Sequence, residues 1–153
     1  MKTINYSFRK KLNKVIGGFT HNYCYQCGAC VPDCPSHRYL NDFNPRTIIL
    51  NALYGFEEDL IGPDSLIWNC TNCYNCHERC PQDVSPIEVI IALKNMAMEK
   101  GTNPPVVNNI VERVKKHGLT VSQTELTVKR REELKLPSFR TDCLDELDKL
   151  FNL

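Results

Sequence analysis

The sequence predicts an all-α protein in which two cysteine-rich loops lie between short helices. Apolar residues recur at helical spacing along most of the chain, and proline follows a capping residue at several expected helix starts. The segments beside the cysteines lack the alternating pattern of strands. A chain of 153 residues with 24% charged and 42% hydrophobic side chains is long and apolar enough for an ordinary core, which excludes wholesale disorder.

The N-terminal half is expected to contain two amphipathic helices. The first covers residues 5–17 and presents an apolar face of Phe8, Leu12, Val15 and Ile16. The second begins with Asn44 as its N-cap and Pro45 at the first helical position. Its apolar face consists of Ile48, Ile49, Ala52, Leu53 and Phe56.

Helices are also expected on both sides of the second cysteine-rich loop. A short helical segment after Gly62 carries Leu66, Ile67 and Trp68. Ser85 and Glu88 have capping-box spacing around Pro86, and the helix that they open should end at Lys100, before Gly101. Its apolar positions include Ile87, Ile90, Ile91, Leu93, Ala97 and Met98.

Residues 101–153 are predicted to form a helical extension to a domain of residues 1–100. A helix capped at 103–105 should bury Val107, Ile110, Val111 and Val114 and stop at Gly118. A short exposed helix follows Ser122, and a final one from Thr141 to Leu150 has Leu144, Leu147 and Leu150 on one face. Since this region buries little by itself, we expect it to be a docking arm for a partner subunit, with a second domain as the alternative.

Eight of the nine cysteines form two runs of identical spacing, C-x2-C-x2-C-x3-C-P. This spacing is typical of bacterial-type [4Fe-4S] ligation, in which the fourth cysteine serves the other cluster. The first cluster is therefore expected to bind Cys24, Cys27, Cys30 and Cys80. The second is expected to bind Cys70, Cys73, Cys76 and Cys34. Side-by-side clusters are suited to passing single electrons.

Two other uses of the cysteines are less consistent with the spacing. Zinc sites usually pair two neighbouring ligands with two distant ones, so an equally spaced third cysteine has no use there. Disulfides are not expected in a reducing compartment. Cys143 has no partner run and is expected to be an unreactive thiol.

The remaining sequence excludes several classes of function. The longest apolar stretch, Val89 to Leu93, is too short to span a bilayer, and the N-terminus has no secretory signal, so we expect a cytoplasmic protein. A net charge of +1 without a basic stripe argues against a nucleic-acid partner. No phosphate-binding loop and no catalytic constellation can be argued from spacing.

Four side chains beside the cysteines invite a functional interpretation. His77 is either an exposed loop residue or a hydrogen-bond donor that tunes a cluster. Tyr25, Tyr74 and Trp68 are expected to shield the clusters from water, although they could also be electron stepping-stones.

Short segments around the runs resemble the C subunit of methanogen heterodisulfide reductase. They are Asp42 to Arg46, Ile67 to Cys70, and Glu78 to Pro81. The resemblance covers about residues 20–100 and is weaker across the tail. The cysteine runs alone are shared with iron–sulfur subunits of succinate, glycerol-3-phosphate and glycolate dehydrogenases, so a subunit of another flavin dehydrogenase is the alternative. A zinc-stabilised interaction module is a more remote alternative.

The resemblance implies an α-helical ferredoxin with two [4Fe-4S] clusters and a helical C-terminal extension. It implies an electron-transfer subunit of an oxidoreductase of methanogenesis. Electrons would pass from an A subunit with flavin and iron–sulfur clusters to a B subunit that reduces the heterodisulfide of coenzymes M and B. Hydrogenase or formate dehydrogenase would feed the flavin, which bifurcates electrons. This chain lacks the adjacent cysteine pairs of the catalytic part, so no catalytic residues are expected in it.

The clusters would also change the charge of the protein. Eight thiolates and two oxidised cluster cores would turn the +1 of the apoprotein into about −3.

Overall fold

The computed structural model describes residues 2–121, 123–139 and 143–151. These residues form helices, turns and loops and contain no β-strand, which confirms the predicted all-α class. The chain divides into two compact units, Met1–Asn103 and Pro104–Leu153.

The first unit is built from short helices joined by tight loops. Its α-helices are α1 (Tyr6–Leu12), α2 (Pro35–Tyr39), α3 (Pro45–Tyr54), α4 (Glu57–Leu60), α5 (Asn75–Glu78) and α6 (Pro86–Glu99). Two 3₁₀ segments, Thr20–Tyr23 and Leu66–Asn69, lead directly into the first cysteine of each run. The cysteines therefore lie in turns between helices, as the sequence predicts.

Helix α3 begins and ends where its sequence dictates. The Asn44 side chain accepts hydrogen bonds from the backbone N–H groups of Arg46 and Thr47, at 3.0 and 3.3 Å, which confirms the predicted N-cap. Gly55 ends the helix in the left-handed conformation, with φ of 71°. A Cβ at this position would also collide with the carbonyl oxygen of Asn5, so the close approach of the N-terminal segment requires glycine.

The core of the first unit lies between α3 and α6, with α1 and α4 packed against α3. Its large buried side chains include Phe8, Leu12, Phe43, Ile48, Ile49, Leu60, Ile67, Val89, Ile90 and Leu93. Cys34 belongs to this core, and Cys24 and Cys70 pack against it. The cysteine loops are thereby anchored to the most rigid part of the fold.

The N-terminal helix is shorter than predicted. It ends at Leu12 instead of continuing to residue 17, and turns follow. Ile16, expected on the apolar face, is 97% exposed, whereas Val15 packs against the core. Gly17 has a positive φ of 78°, and a Cβ there would come within 2.9 Å of Glu88 Cβ on α6. The chain therefore leaves the helix at Asn13 and approaches α6 closely at Gly17.

Helix α6 follows its predicted bounds but not its predicted cap. It runs from Pro86 to Glu99, with Lys100 as its C-cap. The predicted capping box is wrong, because Ser85 has φ of 49° and its side chain makes no capping hydrogen bond. The expected apolar face is correct except that Met98 is 38% exposed and Ile91 is only half-buried.

The second unit contains α7 (Pro105–His117), α8 (Glu125–Glu133) and α9 (Leu144–Phe151). Helix α7 ends at Gly118 as predicted. No described residue of this unit is buried, so the expectation that α7 buries its valines and Ile110 is wrong. The expected starts of the last two helices, at Ser122 and Thr141, lie outside the described residues; the N-cap of α8 is Thr124.

No helix among the described residues combines the length and the apolar character that crossing a bilayer requires.

Candidate metal centres

Two cavities in the first unit are each lined by four cysteines. The first cavity is lined by Cys24, Cys27, Cys30 and Cys80. The second cavity is lined by Cys34, Cys70, Cys73 and Cys76. Each thus combines three cysteines of one run with the fourth cysteine of the other.

The cavities have similar size and apolar walls. Counting space open to solvent, their volumes are ≈ 320 Å³ for the first and ≈ 300 Å³ for the second. Ile49 and Val84 line the first, and Phe43, Ile87 and Ile90 line the second. All nine cysteines of the chain are free thiols. Among the described residues, no group of three or more Cys, His, Asp or Glu side chains is arranged to bind a single metal ion.

Polar contacts between the two runs hold the fourth cysteines in position. Ser36 Oγ, two residues after Cys34, donates to the carbonyl oxygen of Asn69 at 2.7 Å. Asn75 Nδ2 donates to the carbonyl oxygen of Asp33 at 3.0 Å, and Arg79 forms an ion pair of 2.8 Å with the carboxylate of Asp33. These contacts connect the end of the first run to both the start and the end of the second run.

The two loops repeat the same backbone conformation. Gln26 and Gly28 in the first run have positive φ angles of 64° and 85°. Asn72 and Tyr74, at the corresponding positions of the second run, have 54° and 62°. Alternation of left-handed and other residues turns successive backbone N–H groups to one side of a loop, which forms a concave anion-binding nest. Such a nest suits a cluster whose thiolates and sulfides carry negative charge.

Backbone N–H groups bind the sulfurs directly. The N–H of Val84 donates to Cys80 Sγ at 3.2 Å. The N–H of Ala29 is the main reason that the pKa of the exposed Cys27 thiol lies below its ordinary value. The Asn72 N–H favours the Cys70 thiolate in the same way, although burial dominates there and raises its pKa.

The inner cysteines are costly to ionise in the absence of metal. Burial raises the pKa of Cys30 to about 11 and that of Cys76 to about 12. The negative charges of Cys70 and Cys30 add to the effect on Cys76, so groups of the two cavities are close enough to interact. Bound iron removes this cost, because a coordinating thiol is deprotonated by the metal charge.

Two cations near the cavities were not predicted as site residues. Arg46 is exposed, lines the first cavity and favours the Cys27 thiolate by its charge. Lys94 is half-buried on α6 and donates from Nζ to the carbonyl oxygen of Cys70 at 3.3 Å. The available signal for Lys94 is that it is the one basic residue within α6.

Of the aromatic residues expected to shield the clusters, only Tyr74 lines a cavity, the second one, and it is 44% exposed. Tyr25 is 60% exposed, and its hydrogen bond with Cys27 raises the pKa of its hydroxyl. Trp68 lines neither cavity; its Nε1 donates to the Gly62 carbonyl oxygen at 2.8 Å.

Two further singled-out residues have clear surroundings. His77 is half-buried, which contradicts an exposed loop position; its ring meets Tyr74 edge-on, and its Nδ1 is buried without a hydrogen-bond partner among the described residues. Cys143 belongs to the second unit, near Gly118, and shares no cavity with the other cysteines.

Comparison with known proteins agrees with this geometry. The family described as "4Fe-4S dicluster domain" matches residues 20–84, which contain both runs. The chain is 37% identical to the C2 subunit of the H2/formate:CoB-CoM heterodisulfide, ferredoxin reductase of Methanococcus maripaludis, over 81% of this chain and 69% of the relative. It is 35% identical to the C subunit of the H2:CoB-CoM heterodisulfide, ferredoxin reductase of Methanothermobacter thermautotrophicus, over 87% of this chain and 70% of the relative.

The chain belongs to the family of heterodisulfide reductase C subunits. Another relative, the C subunit of the ferredoxin:CoB-CoM heterodisulfide reductase of Methanosarcina mazei, is 37% identical over 74% of this chain and 68% of its own length. As a member of this family with a dicluster domain, the chain is an iron–sulfur subunit of an oxidoreductase and binds two [4Fe-4S] clusters. Eight thiols, backbone N–H donors and apolar walls around two cavities fit that cofactor.

Proposed function

We propose that this chain relays electrons inside a heterodisulfide reductase complex, from a flavin-bearing A subunit to a catalytic B subunit that reduces the heterodisulfide of coenzymes M and B. The observation that carries the proposal is the pair of neighbouring four-cysteine cavities. Hydrogenase or formate dehydrogenase would supply the electrons to a bifurcating flavin. The names of the relatives support this proposal, since they pair the heterodisulfide with H2, formate or ferredoxin.

The cysteines of each cavity are the proposed ligands of one cluster. Cys24, Cys27, Cys30 and Cys80 would hold the first cluster. Cys70, Cys73, Cys76 and Cys34 would hold the second. Bound [4Fe-4S] clusters supply one-electron redox chemistry. The thiolates fix their position, the N–H groups of Ala29, Asn72 and Val84 stabilise negative charge on sulfur, and the apolar walls limit access of water.

An electron relay must exchange electrons with its partners at the surface and must also pass them between its own clusters. Cys27 and Cys73, the middle cysteines of the two triplets, are exposed, whereas Cys34 and Cys76 are buried. Each cavity therefore has one side near the surface. Buried cysteines lie on the inner side of the second cavity, and the buried Ile49 and Val84 lie on the inner side of the first. The electrostatic interaction between Cys30 and Cys76 supports close spacing of the two cavities. This arrangement suits a subunit that takes an electron at one face and gives it up at another.

The second unit is proposed as the docking arm that binds a partner subunit of the complex. Amphipathic helices α7 and α9 contact each other, yet no described residue from Pro104 onward is buried. Val106, Val121, Leu126, Leu134 and Leu150 are each at least 60% exposed. An apolar surface of this kind is typical of protein–protein contact sites.

Purification of the native complex under argon tests the proposal. We expect about eight irons per chain, four for each cluster, and co-purification of a flavoprotein together with a subunit rich in adjacent cysteine pairs. A lone flavoprotein dehydrogenase as partner would instead support the succinate, glycerol-3-phosphate or glycolate type. Zinc without iron would contradict the proposal. Clusters with thiol ligands need a reducing compartment, and we therefore propose that the protein acts in the cytoplasm.

A further inference from the structure

Lys94 connects the helix α6 to the loop of the second cysteine run. Its Nζ donates to the Cys70 carbonyl oxygen and to Asn72 Oδ1, both at 3.3 Å. Asn72 is the residue with left-handed φ between Cys70 and Cys73. The ammonium group therefore lies beside the loop that forms one wall of the second cavity.

The position of Lys94 reduces screening of its charge by water. The side chain is half-buried, and α6 supplies the fully buried Ile87 and Ile90 to the wall of the same cavity. A charge beside an apolar wall acts more strongly than one in open solvent, because the effective dielectric constant is lower. Burial lowers the pKa of Lys94, and the Cys70 thiolate partly offsets this effect; Lys94 in turn favours the Cys70 thiolate, which is consistent with this proximity.

The first cavity has a different cation in a different setting. Arg46 lines it, but this side chain is exposed, so water and salt screen its charge. The two sites therefore have the same cysteine spacing and the same loop conformation, but they differ in their electrostatic surroundings.

We propose that Lys94 tunes the cluster of the second cavity, raising its reduction potential above the value that the same cysteines and loop would give without the charge. The inference rests on the proposed ligand set. One electron, taken from the redox partner, changes an oxidised cluster with four thiolates from about −2 to −3. A nearby positive charge stabilises the more negative state, so it favours reduction.

Redox titration of the holoprotein, followed by electron paramagnetic resonance, tests this inference on the full chain. Lys94→Gln should make one of the two midpoint potentials more negative. At a fixed potential, the ratio of reduced to oxidised cluster should fall about tenfold, which corresponds to a shift of about 59 mV in the midpoint. Lys94→Arg keeps the charge and should change that ratio less than about twofold. The shifted signal should be the one whose line shape is altered by Cys73→Ser.

Lys10→Gln is the matched control, because it removes one exposed Lys charge from α1 and should leave both midpoints in place. Arg46→Gln should move the other midpoint, and by less than Lys94→Gln moves the first. Equal shifts of both midpoints in Lys94→Gln, or no shift, would overturn the inference.

Loss of the second cluster from both Lys94→Gln and Lys94→Met would also overturn it, since Lys94 would then retain the cluster instead of tuning it. A wild-type chain without two [4Fe-4S] signals would overturn the proposed function itself. Two normal wild-type clusters with unmoved potentials in Lys94→Gln would overturn this inference alone.

Discussion

Gly28 and Tyr74 occupy the same place in the two cysteine loops, and both have a positive φ. Glycine adopts this conformation at no steric cost, whereas a tyrosine there stores about 1–3 kcal/mol of backbone strain. The identical cysteine spacing allowed the paired loops to be predicted, but nothing at Tyr74 marked it as left-handed. The strained residue begins α5 and brings its ring edge-on to His77.

The fourth cysteine of each run gives the sharpest test of the ligand sets. Cys80→Ala should remove the cluster held by Cys24, Cys27 and Cys30 and leave about four irons, because Cys80 lines their cavity. Iron analysis and electron paramagnetic resonance measure the loss. The signal that disappears should be the one that Cys27→Ser alters.

Cys34→Ala is the reciprocal control, and it should remove the other signal while leaving the first. If Cys80→Ala instead abolished the signal that responds to Cys73→Ser, each run would bind its own cluster and the exchange of fourth cysteines would be wrong.

His21 should make the stability of the fold depend on pH. Its ring is completely buried, Nδ1 donates to the Gly18 carbonyl oxygen at 2.6 Å, and Nε2 has no hydrogen-bond partner among the described residues. Burial, assisted by the charge of Arg9, lowers its pKa below 6.5. The folded chain then binds fewer protons than the unfolded chain, so the contribution is complete above pH 6.5 and is lost as pH falls through the folded pKa.

Thermal midpoints measured between about pH 5.5 and 7.5 check this sign. The wild type should melt at lower temperature as pH falls, and His21→Asn, which retains a donor for Gly18, should have a flatter profile. The same slope in both proteins would assign the acid sensitivity to other groups.

At the level of helices, the start of α3 was predicted together with its cap, whereas for α6 only the position of the start was predicted correctly. Asn44 and Pro45 form a local signal, and the structure uses it without change. Ser85 and Glu88 have equally good spacing, but Ser85 is 2% exposed and left-handed, so its hydroxyl is buried without a partner among the described residues. The loop after Cys80 determines the backbone of Ser85, and that constraint is not local to the capping sequence.

This difference predicts opposite results for two alanine substitutions. Asn44→Ala removes two N-cap hydrogen bonds and should lower the free energy of unfolding by about 0.5–2 kcal/mol. Ser85→Ala removes no capping bond and eliminates an unsatisfied buried hydroxyl, so it should leave stability unchanged or raise it. Reversible denaturant unfolding of the two holoproteins compares them.

A loss of stability in Ser85→Ala as large as that in Asn44→Ala would mean that the serine hydroxyl has a partner. In that case the capping-box prediction would regain support.

Tertiary contacts account for the remaining differences between predicted and observed helices. Ile16 continues the spacing of Phe8 and Leu12 but is 97% exposed, because the helix ends at Leu12 and the chain turns before it reaches Ile16. Met98 continues the apolar spacing of α6 but is 38% exposed, next to the C-terminal end of the helix. Periodicity identifies which residues share a face, but it does not indicate where the neighbouring element ends.

At the scale of the whole molecule, buried residues are unevenly distributed between the two units. Both cavities and the buried core lie in Met1–Asn103, whereas the described part of Pro104–Leu153 has no buried residue. The cysteine spacing predicted the first unit well, because clusters impose strict geometry. Amphipathic spacing predicted helices in the second unit, but it overestimated what they bury within this chain.

A chain ending at Asn103 should separate these roles. We expect it to retain about eight irons and both cluster signals, because all eight proposed ligands remain. It should lose co-purification with its partner in the complex, because the exposed apolar helices are gone. Pull-down under argon with the full chain as reference measures both properties.

Loss of iron from the shortened chain would contradict the assignment of the second unit to docking alone. Unchanged partner binding would contradict the docking arm itself.

The position of each run's fourth cysteine in the cavity of the other run also restricts the order in which the protein can be made. The first three cysteines of the first cavity are synthesised early, but its fourth, Cys80, follows long after them. The second cavity has Cys34 in advance and waits for Cys76. Neither site is complete until the ribosome has passed the second run, and then both are completed within a few residues. With the proposed ligands, cluster insertion would wait until the second run has been made, when α6 is the last helix still to be added to the first unit.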